Sequence, residues 1–377
     1  MSTCVLHVEL GRHLYGGAKQ VTYLINALEQ HDNIRQHLVC TQDSEIQNAP
    51  LGRCNVHALK YSGETDFLFI RRLLSIVKET KPNIIHIHSR RGADVWGAII
   101  AKMTGIPSVC TRRVDNLESR FSYYKYKQFD AVISISEGVQ SVVAKHCEGV
   151  KHQLVIHSAV DLDEYSLSKN KQWLHDTFDI PSDHTVIANF AQYISRKGQA
   201  DVILAMHDVL HKHKKVTCLL FGKGGLEESY QSLIERHGLA DNVKLCGFTS
   251  DVAKILPNVD IVIHPAYAEG LGVALLQAGA SKRAVITSPV GGIPEIVTHK
   301  ETGLMVAPGD IDAIGESLVS LIEQPTLRYQ YGNALYQHVA EKFSITKMAN
   351  AYVNLYTSLT QGDKDTNKTV KNLVQPS

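Results

Sequence analysis

The stretch HPAYAEGLGVALLQAGASKRAVITSPVGGIPEIV, residues 264–297, carries the clearest structural pattern in the chain. An apolar strand ends at His264, a loop with the sequence EGLG (269–272) follows, and a helix is predicted to begin near Gly272. A second tight, glycine-rich turn (289–292) comes after the next apolar strand. Strand, turn, helix and strand in this order predict a βα unit of a parallel sheet with helices on its faces.

The same alternation of short apolar strands and amphipathic helices runs through the rest of the chain. Only a polar stretch, 161–184, interrupts it, and this stretch reads as a linker with a short helix. Near-continuous apolar strands separated by helices indicate parallel sheets covered on both faces. The predicted strands are 4–10, 37–42, 83–89, 108–112, 131–136 and 153–158 before the polar stretch, and 185–191, 215–222, 243–248, 260–266, 284–289 and 303–308 after it. The clearest helix patterns are 18–30, 67–80, 200–213 and 344–359.

The length of the chain also predicts two domains. Its 377 residues exceed the roughly 250–300 residues at which a single core stops growing. We expect an α/β protein of two Rossmann-like, doubly wound parallel-sheet lobes that face a central cleft, with ligands at the carboxyl ends of the strands. The N-terminal lobe is predicted at 1–165, completed by a C-terminal helix at 344–360, and the C-terminal lobe at 166–343. The polar tail, 361–377, is predicted to be disordered.

Composition narrows the class of protein. A formal net charge of +1 argues against nucleic acid as the main partner. The seven cysteines form no C-x-x-C pair and most lie in apolar runs, which predicts reduced thiols and a cytoplasmic protein. No apolar stretch approaches the ~18 residues that span a bilayer, so we expect any membrane contact to be peripheral, at the inner face of the cytoplasmic membrane.

The residue types in the loop 269–272 suit an anionic, hydroxyl-bearing ligand. Glycines let backbone N–H groups approach a ligand closely, and a helix start carries about half a positive charge, which favours phosphate. Glu269 in the loop and Gln277 on the helix can bind the hydroxyls of a ribose or hexose. The alternative is that these glycines only permit close packing at the turn.

On these residues the stretch resembles the signature of the retaining glycosyltransferases of family 4, which have the two-lobed GT-B architecture. Their pattern is E-G-x-G, a second Glu eight residues after the first, and a P-x-G-G-x-x-E turn. Glu269 matches the first Glu, and Gln277 stands where the second binds the nucleotide ribose. Gln still donates and accepts hydrogen bonds, so we expect altered donor binding rather than its loss. The turn is matched by Pro289, Gly291, Gly292 and Glu295.

A second matching segment is AQYISRKG, 191–198, where the family has an Arg and a Lys that clamp the donor diphosphate. Lys197 matches the family Lys, whereas Gln192 occupies the Arg position. Arg196 is adjacent and can supply the missing charge. The alternative is a solvated Arg-Lys pair, which a helix start disfavours. The resemblance also implies that backbone groups near Phe248 meet the nucleobase.

The segment HLYGGA, 13–18, resembles the glycine-rich loop of the family's N-terminal lobe, which implies that Gly16 and Gly17 face the donor phosphates. Arg113 stands where many relatives have His near the transferred sugar. A fixed positive charge there would stabilise a leaving phosphate or hold an acidic acceptor. The alternative is a surface ion pair, either Arg113 with Asp115 or Arg112 with Glu118.

Two candidate metal motifs are weighed and set aside. Strand alternation puts His86 and His88 on one face of a sheet, but no third ligand lies at suitable spacing, and the family's H-x-H here is not a metal site. The D-x-D of 161–163 lies where the family has a strand-end turn, so we interpret it as a loop at the lobe boundary. We predict no metal and no cofactor.

The segment 120–129 mixes aromatic and basic residues. Such a helix can lie in a membrane interface with its cations toward anionic lipid, as relatives that glycosylate lipid-linked acceptors do. The alternative is aromatic packing on the sheet.

Together these features predict a retaining, metal-independent transfer of a hexosyl-type group from a nucleoside diphosphate sugar to a glycan or lipid-linked acceptor, with bacterial surface polysaccharide or lipopolysaccharide as the family default. The alternative is a catalytically degenerate nucleotide-sugar-binding or scaffold protein of the same fold, since Gln192 and Gln277 depart from the pattern; a phosphorylase or epimerase ranks lower. The predicted catalytic residues are Glu269, Lys197, Arg196 and Arg113; the donor-binding residues are Gly16, Gly17, Gln192, Phe248, Gly270, Leu271, Gly272 and Gln277; the acceptor-side residues are His86, His88 and Arg112.

Overall fold

The computed structural model of the protein describes residues 2–14, 16–90, 92–119 and 121–361. Four single positions, Met1, Tyr15, Arg91 and Arg120, and the predicted tail from 362 onward lie outside the described residues. The chain divides into two compact units. The first runs to Ala159 and resumes at Ile345, and the second is Val160–Ser344.

The first unit is built on a seven-stranded sheet in which neighbouring strands run parallel, in the order β3-β2-β1-β4-β5-β6-β7. Its central strands are buried along their whole length because helices cover both faces, which is why they read as unbroken apolar runs. The strands are β1 Thr3–Glu9, β2 Ile34–Thr41, β3 Asn55–Leu59, β4 Ile84–Ile87, β5 Ser108–Arg112, β6 Ala131–Ser134 and β7 His152–Val155.

The helices of the first unit connect these strands, and the C-terminal helix returns to complete the unit. On one face of the sheet, the first and last helices pack together and bury a core that includes Val5, Leu24 and Leu355. These helices are α1 Gly16–Leu28, α2 Phe67–Thr80, α3 Ala93–Thr104, α4 Ser122–Tyr126, α5 Glu137–Val143 and, at the end of the chain, α13 Ile345–Gln361.

The second unit repeats this design with a six-stranded parallel sheet, ordered β10-β9-β8-β11-β12-β13. Its strands are β8 Thr185–Phe190, β9 Val216–Phe221, β10 Val243–Gly247, β11 Ile261–His264, β12 Ala284–Thr287 and β13 Leu304–Met305. Its helices are α6 Lys171–Phe178, α7 Gln199–Lys212, α8 Glu227–Arg236, α9 Val252–Ile255, α10 Val273–Ala280, α11 Ile311–Glu323 and α12 Pro325–Lys342.

Each predicted strand is present. The sequence pattern did not predict one further strand, and it ended the last helix too early. The missed strand is β3, which lies at the edge of its sheet and is half exposed, so it lacks the apolar run that marks the others. Gln361, assigned to the tail, is the last residue of α13. The stretch 161–184 contains α6 and belongs to the second unit, which begins at Val160 rather than at the predicted residue 166.

A helix that spans a membrane must be both long and apolar, and no helix of the described residues meets both requirements.

Candidate functional site

The sheet order of the second unit places two loops side by side. β8 and β11 are neighbours in the sheet but not in the chain, so the loops after them open in opposite directions at the carboxyl edge. This topological switch point is where doubly wound sheets bind ligands. The loop after β8 carries Lys197, and the loop after β11 carries Glu269. A backbone hydrogen bond of 2.9 Å from the N–H of Tyr267 to the carbonyl of Arg196 ties the two loops together.

The carboxylate of Glu269 is the centre of the polar contacts at this switch point. Its Oε2 atom accepts hydrogen bonds from Lys197 Nζ at 2.5 Å and from His264 Nε2 at 2.9 Å. Its Oε1 atom accepts one from the backbone N–H of Gly270 at 3.1 Å. The three side chains are only 11%, 15% and 3% exposed for Lys197, Glu269 and His264, respectively, so this ion pair lies largely out of water.

The surroundings of Glu269 hold it in the charged form. Burial by itself raises the pKa of this carboxyl group, but the hydrogen bonds and charges of His264 and Lys197 outweigh burial and keep the pKa well below its ordinary value. A carboxylate with such a pKa is not a proton donor at neutral pH. It can instead accept hydrogen bonds from hydroxyl groups, and it can hold a cation in place.

The helix that follows Glu269 begins with an open end. α10 starts at Val273 after Gly272, whose φ of 100° favours glycine, and no side chain among the described residues caps this end. Uncapped N–H groups and the helix dipole make such a start favourable for an anion. Leu271 is only 1% exposed, so its side chain packs in the core and only its backbone can meet a ligand.

The second glycine-rich turn packs against the backbone of Glu269. Gly291 has a φ of 54°, and a Cβ atom at this position would overlap the carbonyl oxygen of Glu269. Gly198 approaches the carbonyl of Pro265 in the same way. Both glycines are therefore required by close backbone contact, and the contacts fix the loop that carries Glu269.

The remaining predicted donor residues of the second unit are spread along the carboxyl edge of its sheet. Gln277 donates from Nε2 to the hydroxyl of Tyr165 at 2.7 Å, so its amide is already oriented. Gln192 is exposed in the loop after β8. Phe248, 53% exposed, follows β10, and Lys223 Nζ lies 4.9 Å from its ring centroid. Arg196 is half-buried, next to Lys197.

In the first unit, the predicted phosphate-facing glycines begin α1, and Arg113 lies against Gly17. Gly16 is exposed, and a Cβ atom on Gly17 would lie 3.4 Å from Arg113 Cδ. Burial lowers the pKa of Arg113, and this effect outweighs the opposite effects of Tyr352 and Glu9. Burial also raises the pKa of Glu9, whose Oε1 atom accepts a hydrogen bond from the N–H of Gly11 at 2.8 Å.

The three predicted acceptor-side residues are buried, which changes how they could act. Arg112 is 1% exposed and donates to Glu118 Oε1 at 2.6 Å and to the carbonyl of Asn116 at 2.7 Å. The Arg112–Glu118 pair expected at the surface is thus an internal one. His86 and His88 are 0% and 2% exposed. These side chains could affect an acceptor only through their neighbours.

The first aspartate of the D-x-D segment stabilises a turn of that same segment. Asp161 Oδ1 accepts hydrogen bonds from the N–H groups of Asp163 and Glu164, at 3.0 and 3.2 Å, and so closes a turn. This agrees with its interpretation as a loop.

Sequence reasoning missed three residues that the structure brings into these clusters. His264 was noted only as a strand end, although it hydrogen-bonds Glu269. Tyr165 lay in the presumed linker but contacts Gln277. His7 lies beside His86 and His88, where no third histidine had been expected, because it comes from a neighbouring strand remote in sequence. Strand register, rather than spacing along the chain, would have been needed to find it.

Two family models match the chain one after the other. The model described as Glycosyltransferase Family 4 matches residues 15–164. The model described as Glycosyl transferases group 1 matches residues 170–338. Together the two matches cover strands β2 to β7 of the first unit and nearly the whole second unit.

Similar proteins and structures agree with these matches. The lipopolysaccharide core biosynthesis mannosyltransferase LpcC of Rhizobium leguminosarum bv. viciae is 24% identical over 72% of this chain and 78% of its own length. The N-acetyl-alpha-D-glucosaminyl L-malate synthase of Bacillus anthracis is 20% identical over 96% and 95%. The crystal structure of Anabaena HepE in complex with UDP and glucose superimposes with a TM-score of 0.80 at 19% identity, covering 94% of this chain and 100% of that one.

Proposed function

The chain belongs to the group 1 and family 4 glycosyltransferases and has the GT-B fold, and we propose that it transfers a hexosyl-type group from a nucleoside diphosphate sugar with retention of configuration. The bond from the sugar's anomeric carbon to the diphosphate oxygen breaks, and the oxygen of an acceptor hydroxyl bonds to that carbon on the same face. The proton of the acceptor hydroxyl leaves with the departing diphosphate. The observation that carries this proposal is the Lys197–Glu269–His264 cluster at the switch point of the second unit.

The diphosphate is assigned to Lys197, Arg196 and the start of α10. Lys197 Nζ already points at the loop before the helix, where it contacts Glu269. The uncapped helix start supplies N–H groups beside this cation. Cations and dipoles fixed in advance stabilise the charge that develops on a leaving diphosphate, without the cost of reorganising water. On this proposal the reaction needs no metal ion.

The sugar and the nucleoside are assigned to the neighbouring side chains. Glu269 accepts hydrogen bonds from the hydroxyls of the transferred sugar, for which its charged state suits it. Gln277, oriented by Tyr165, bonds the ribose, and the backbone near Phe248 meets the base. Arg113 and the start of α1 form a second region that favours anions, in the first unit.

A donor panel tests the proposal. The protein is incubated with UDP-sugars and GDP-sugars, and thermal unfolding and release of nucleoside diphosphate are measured. A donor at a hundred times its dissociation constant should stabilise the protein by about 2.7 kcal/mol. We expect stabilisation by one nucleotide class together with release of its diphosphate. Stabilisation without release in the presence of bacterial glycan and lipid-linked acceptors would favour the degenerate binding protein instead.

The acceptor is proposed to be a glycan or lipid-linked molecule of bacterial surface polysaccharide or lipopolysaccharide synthesis, by similarity to LpcC and to a Staphylococcus aureus capsular polysaccharide biosynthesis glycosyltransferase. The segment around α4 supports contact with a membrane at the cytoplasmic face. Phe121 and Tyr124 are 64% and 67% exposed, whereas Tyr126 and Phe129 are buried. The segment thus packs one set of rings inside and presents the other to its surroundings.

Vesicle sedimentation tests the membrane contact. The double variant F121S/Y124S should bind vesicles of phosphatidylglycerol roughly tenfold less than the wild type, since two apolar rings are lost from the interface. Tyr329→Ser is the matched control, because Tyr329 is also an aromatic residue, 73% exposed, on α12 of the second unit. Equal sedimentation of all three proteins would contradict the contact.

A further inference from the structure

Three histidines share one face of the first unit's sheet. His7 of β1 and His86 of β4 are register partners on adjacent parallel strands. His88 follows His86 by two residues, so its side chain points to the same face. All three are 2% exposed or less. The strands meet at the switch point of this sheet, in the same way that β8 and β11 do in the second unit.

The imidazole rings are close enough to share one ion. One nitrogen from each residue can be chosen so that the three atoms lie within 4.8 Å of one another. His7 Nδ1 and His88 Nε2 are 2.9 Å apart. Tetrahedral zinc holds nitrogen ligands about 3.3 Å apart, given Zn–N distances of about 2.0–2.1 Å. The separations in the structure, at most 4.8 Å, are within about 1.5 Å of that spacing.

The hydrogen bonds of this cluster are incomplete. His88 Nδ1 is buried and has no hydrogen-bond partner among the described residues. His7 Nε2 and Gln36 Oε1 are also buried and make no hydrogen bond of regular geometry there, although Gln36 lies close enough to raise the pKa of His7. A buried polar atom without a partner is costly. While His7 Nδ1 and His88 Nε2 are hydrogen-bonded to each other, the second nitrogen of each ring is left without a regular hydrogen bond. Ligation by both rings would leave their remaining N–H groups to bond neighbours such as Gln36.

His86 already has the surroundings of a metal ligand. One ring nitrogen lies 2.6 Å from the hydroxyl of Tyr356 and the other 2.7 Å from that of Thr111. Metal-bound histidines almost always donate their second nitrogen to such an oxygen, which fixes the ring. If His86 gives one of these contacts up to an ion, the other keeps the ring in place.

The protonation states also suit a cation. Burial lowers the pKa of all three histidines, that of His7 to about 4, so the rings are neutral at neutral pH and each can offer a lone pair. The charge of Arg113 contributes to the low pKa of His86 and His88 and opposes a nearby cation. Glu9 acts on Arg113 with the opposite sign and offsets part of this opposition.

We propose that His7, His86 and His88 form a binding site for a single transition-metal ion of the Zn²⁺ class. The ion would join β1 to β4. Three imidazoles suit Zn²⁺ and the neighbouring first-row metals, and leave a fourth position open. The site shares no residue with the Lys197–Glu269–His264 cluster, so the inference does not depend on the proposed function, and the ion takes no part in the proposed transfer.

The test is a titration with Zn²⁺ and with Co²⁺ as its spectroscopic substitute. The background variant is H207Q/H211Q, which removes a surface pair on α7 whose rings are 4.5 Å apart. We expect one tight equivalent of Zn²⁺ and a visible Co²⁺ spectrum of the four-coordinate type. His88→Gln should weaken binding by roughly a hundredfold or more, at least as much as the loss of a residue that only supports a ligand.

The chain contains a matched control. His37 and His57 make the same kind of pair, 3.0 Å between nitrogens with ring centroids 5.3 Å apart, but the described residues place no third histidine with them. His57→Gln should therefore leave Zn²⁺ binding unchanged. Equal affinity in the His88→Gln and His57→Gln proteins would overturn the proposal, because the ion would then be bound elsewhere.

Folding and access are controlled separately. If His88→Gln does not fold, His7→Gln is measured in its place. If neither variant folds, the test is whether the protein with all three histidines gives the four-coordinate Co²⁺ spectrum. Since the site is closed to solvent, the protein is also refolded from denaturant with Zn²⁺ present and then dialysed. Absence of a bound equivalent after both treatments would overturn the proposal.

Discussion

The two switch points have the same topology, but one holds a charged cluster and the other a neutral one. In the second unit, the loops after β8 and β11 bring together a lysine, a carboxylate and a histidine in one short ionic cluster. In the first unit, β1 and β4 bring together three histidines whose pKa values burial lowers. The pKa of the nearby Glu9 carboxyl is raised, whereas the pKa of the Glu269 carboxyl is lowered.

The difference follows from where the side chains lie along their strands. His7 and His86 lie within strands, beneath helices, where charge is expensive. Lys197 and Glu269 lie in the loops past the strand ends, where backbone N–H groups and partial exposure support charge. A fold of this kind can therefore keep a neutral polar cluster below its edge and a charged cluster at its edge. The charged one is suited to a phosphate.

The largest effect should come from removing the cation of the charged cluster. Lys197→Ala should lower the rate of donor turnover by about 10²–10³-fold, the usual loss when one fixed donor to a developing negative charge is removed. The measurement is release of nucleoside diphosphate from the donor found in the panel, with circular dichroism to show that the fold persists.

The matched control for Lys197 is Lys215→Ala. Lys215 also pairs with a carboxylate, Asp183, at 2.7 Å, but its side chain is 73% exposed. Exposed pairs contribute little, so turnover should stay at the wild-type value. If Lys197→Ala is as active as Lys215→Ala, Lys197 has no role at the phosphate and the contrast between the clusters loses its functional meaning.

How far the sequence could predict the molecule also differs between the two clusters. Strand alternation predicts the strands of both sheets except β3. The approach of 196–197 to 269–272 is implied by the family resemblance, and it agrees with the rule that carboxyl ends of neighbouring parallel strands meet at one edge. The loop residues are local in sequence and follow recognisable turns. His7 was not found because its partners are set by the register of β1 on β4, which no local pattern encodes.

Burial of charged residues was the other property that the sequence did not reveal. Arg112 is the last residue of a strand, where the sequence predicts that it can reach solvent, but Glu118 and Asn116 hold it inside. The strand β3 escaped prediction for the converse reason, since an edge strand keeps polar residues such as Asn55. In both cases tertiary contacts outweigh the local pattern.

A smaller effect is expected from neutralising Glu269. Its folded-state pKa is depressed, so its charge contributes stability above the ordinary carboxyl pKa, and this stability is lost as the pH falls through and below that value. Glu269→Gln should cost about 1–3 kcal/mol at pH 7, the penalty for a buried charged partner left unpaired, and should make unfolding less sensitive to acid.

Hydrogen exchange of β11 and α10 between pH 7 and pH 3 measures this locally in the second unit. The wild type should lose protection in acid more steeply than Glu269→Gln. Glu301→Gln serves as a control, since Glu301 is exposed in the same unit. Parallel acid profiles for all three proteins would show that the ion pair with Lys197 contributes nothing to stability.

The smallest effect is expected at Gln277, where the chain departs from the family pattern. Gln277 Nε2 now donates to the hydroxyl of Tyr165. In Gln277→Glu the carboxylate can instead accept a hydrogen bond from that hydroxyl, so the contact survives with its direction reversed, and a ribose hydroxyl gains a charged acceptor. The donor KM should fall by less than about tenfold, or roughly 1.4 kcal/mol, with kcat unchanged. A large loss of kcat would mean that the neutral amide is itself required, and that the ribose assignment at this position is wrong.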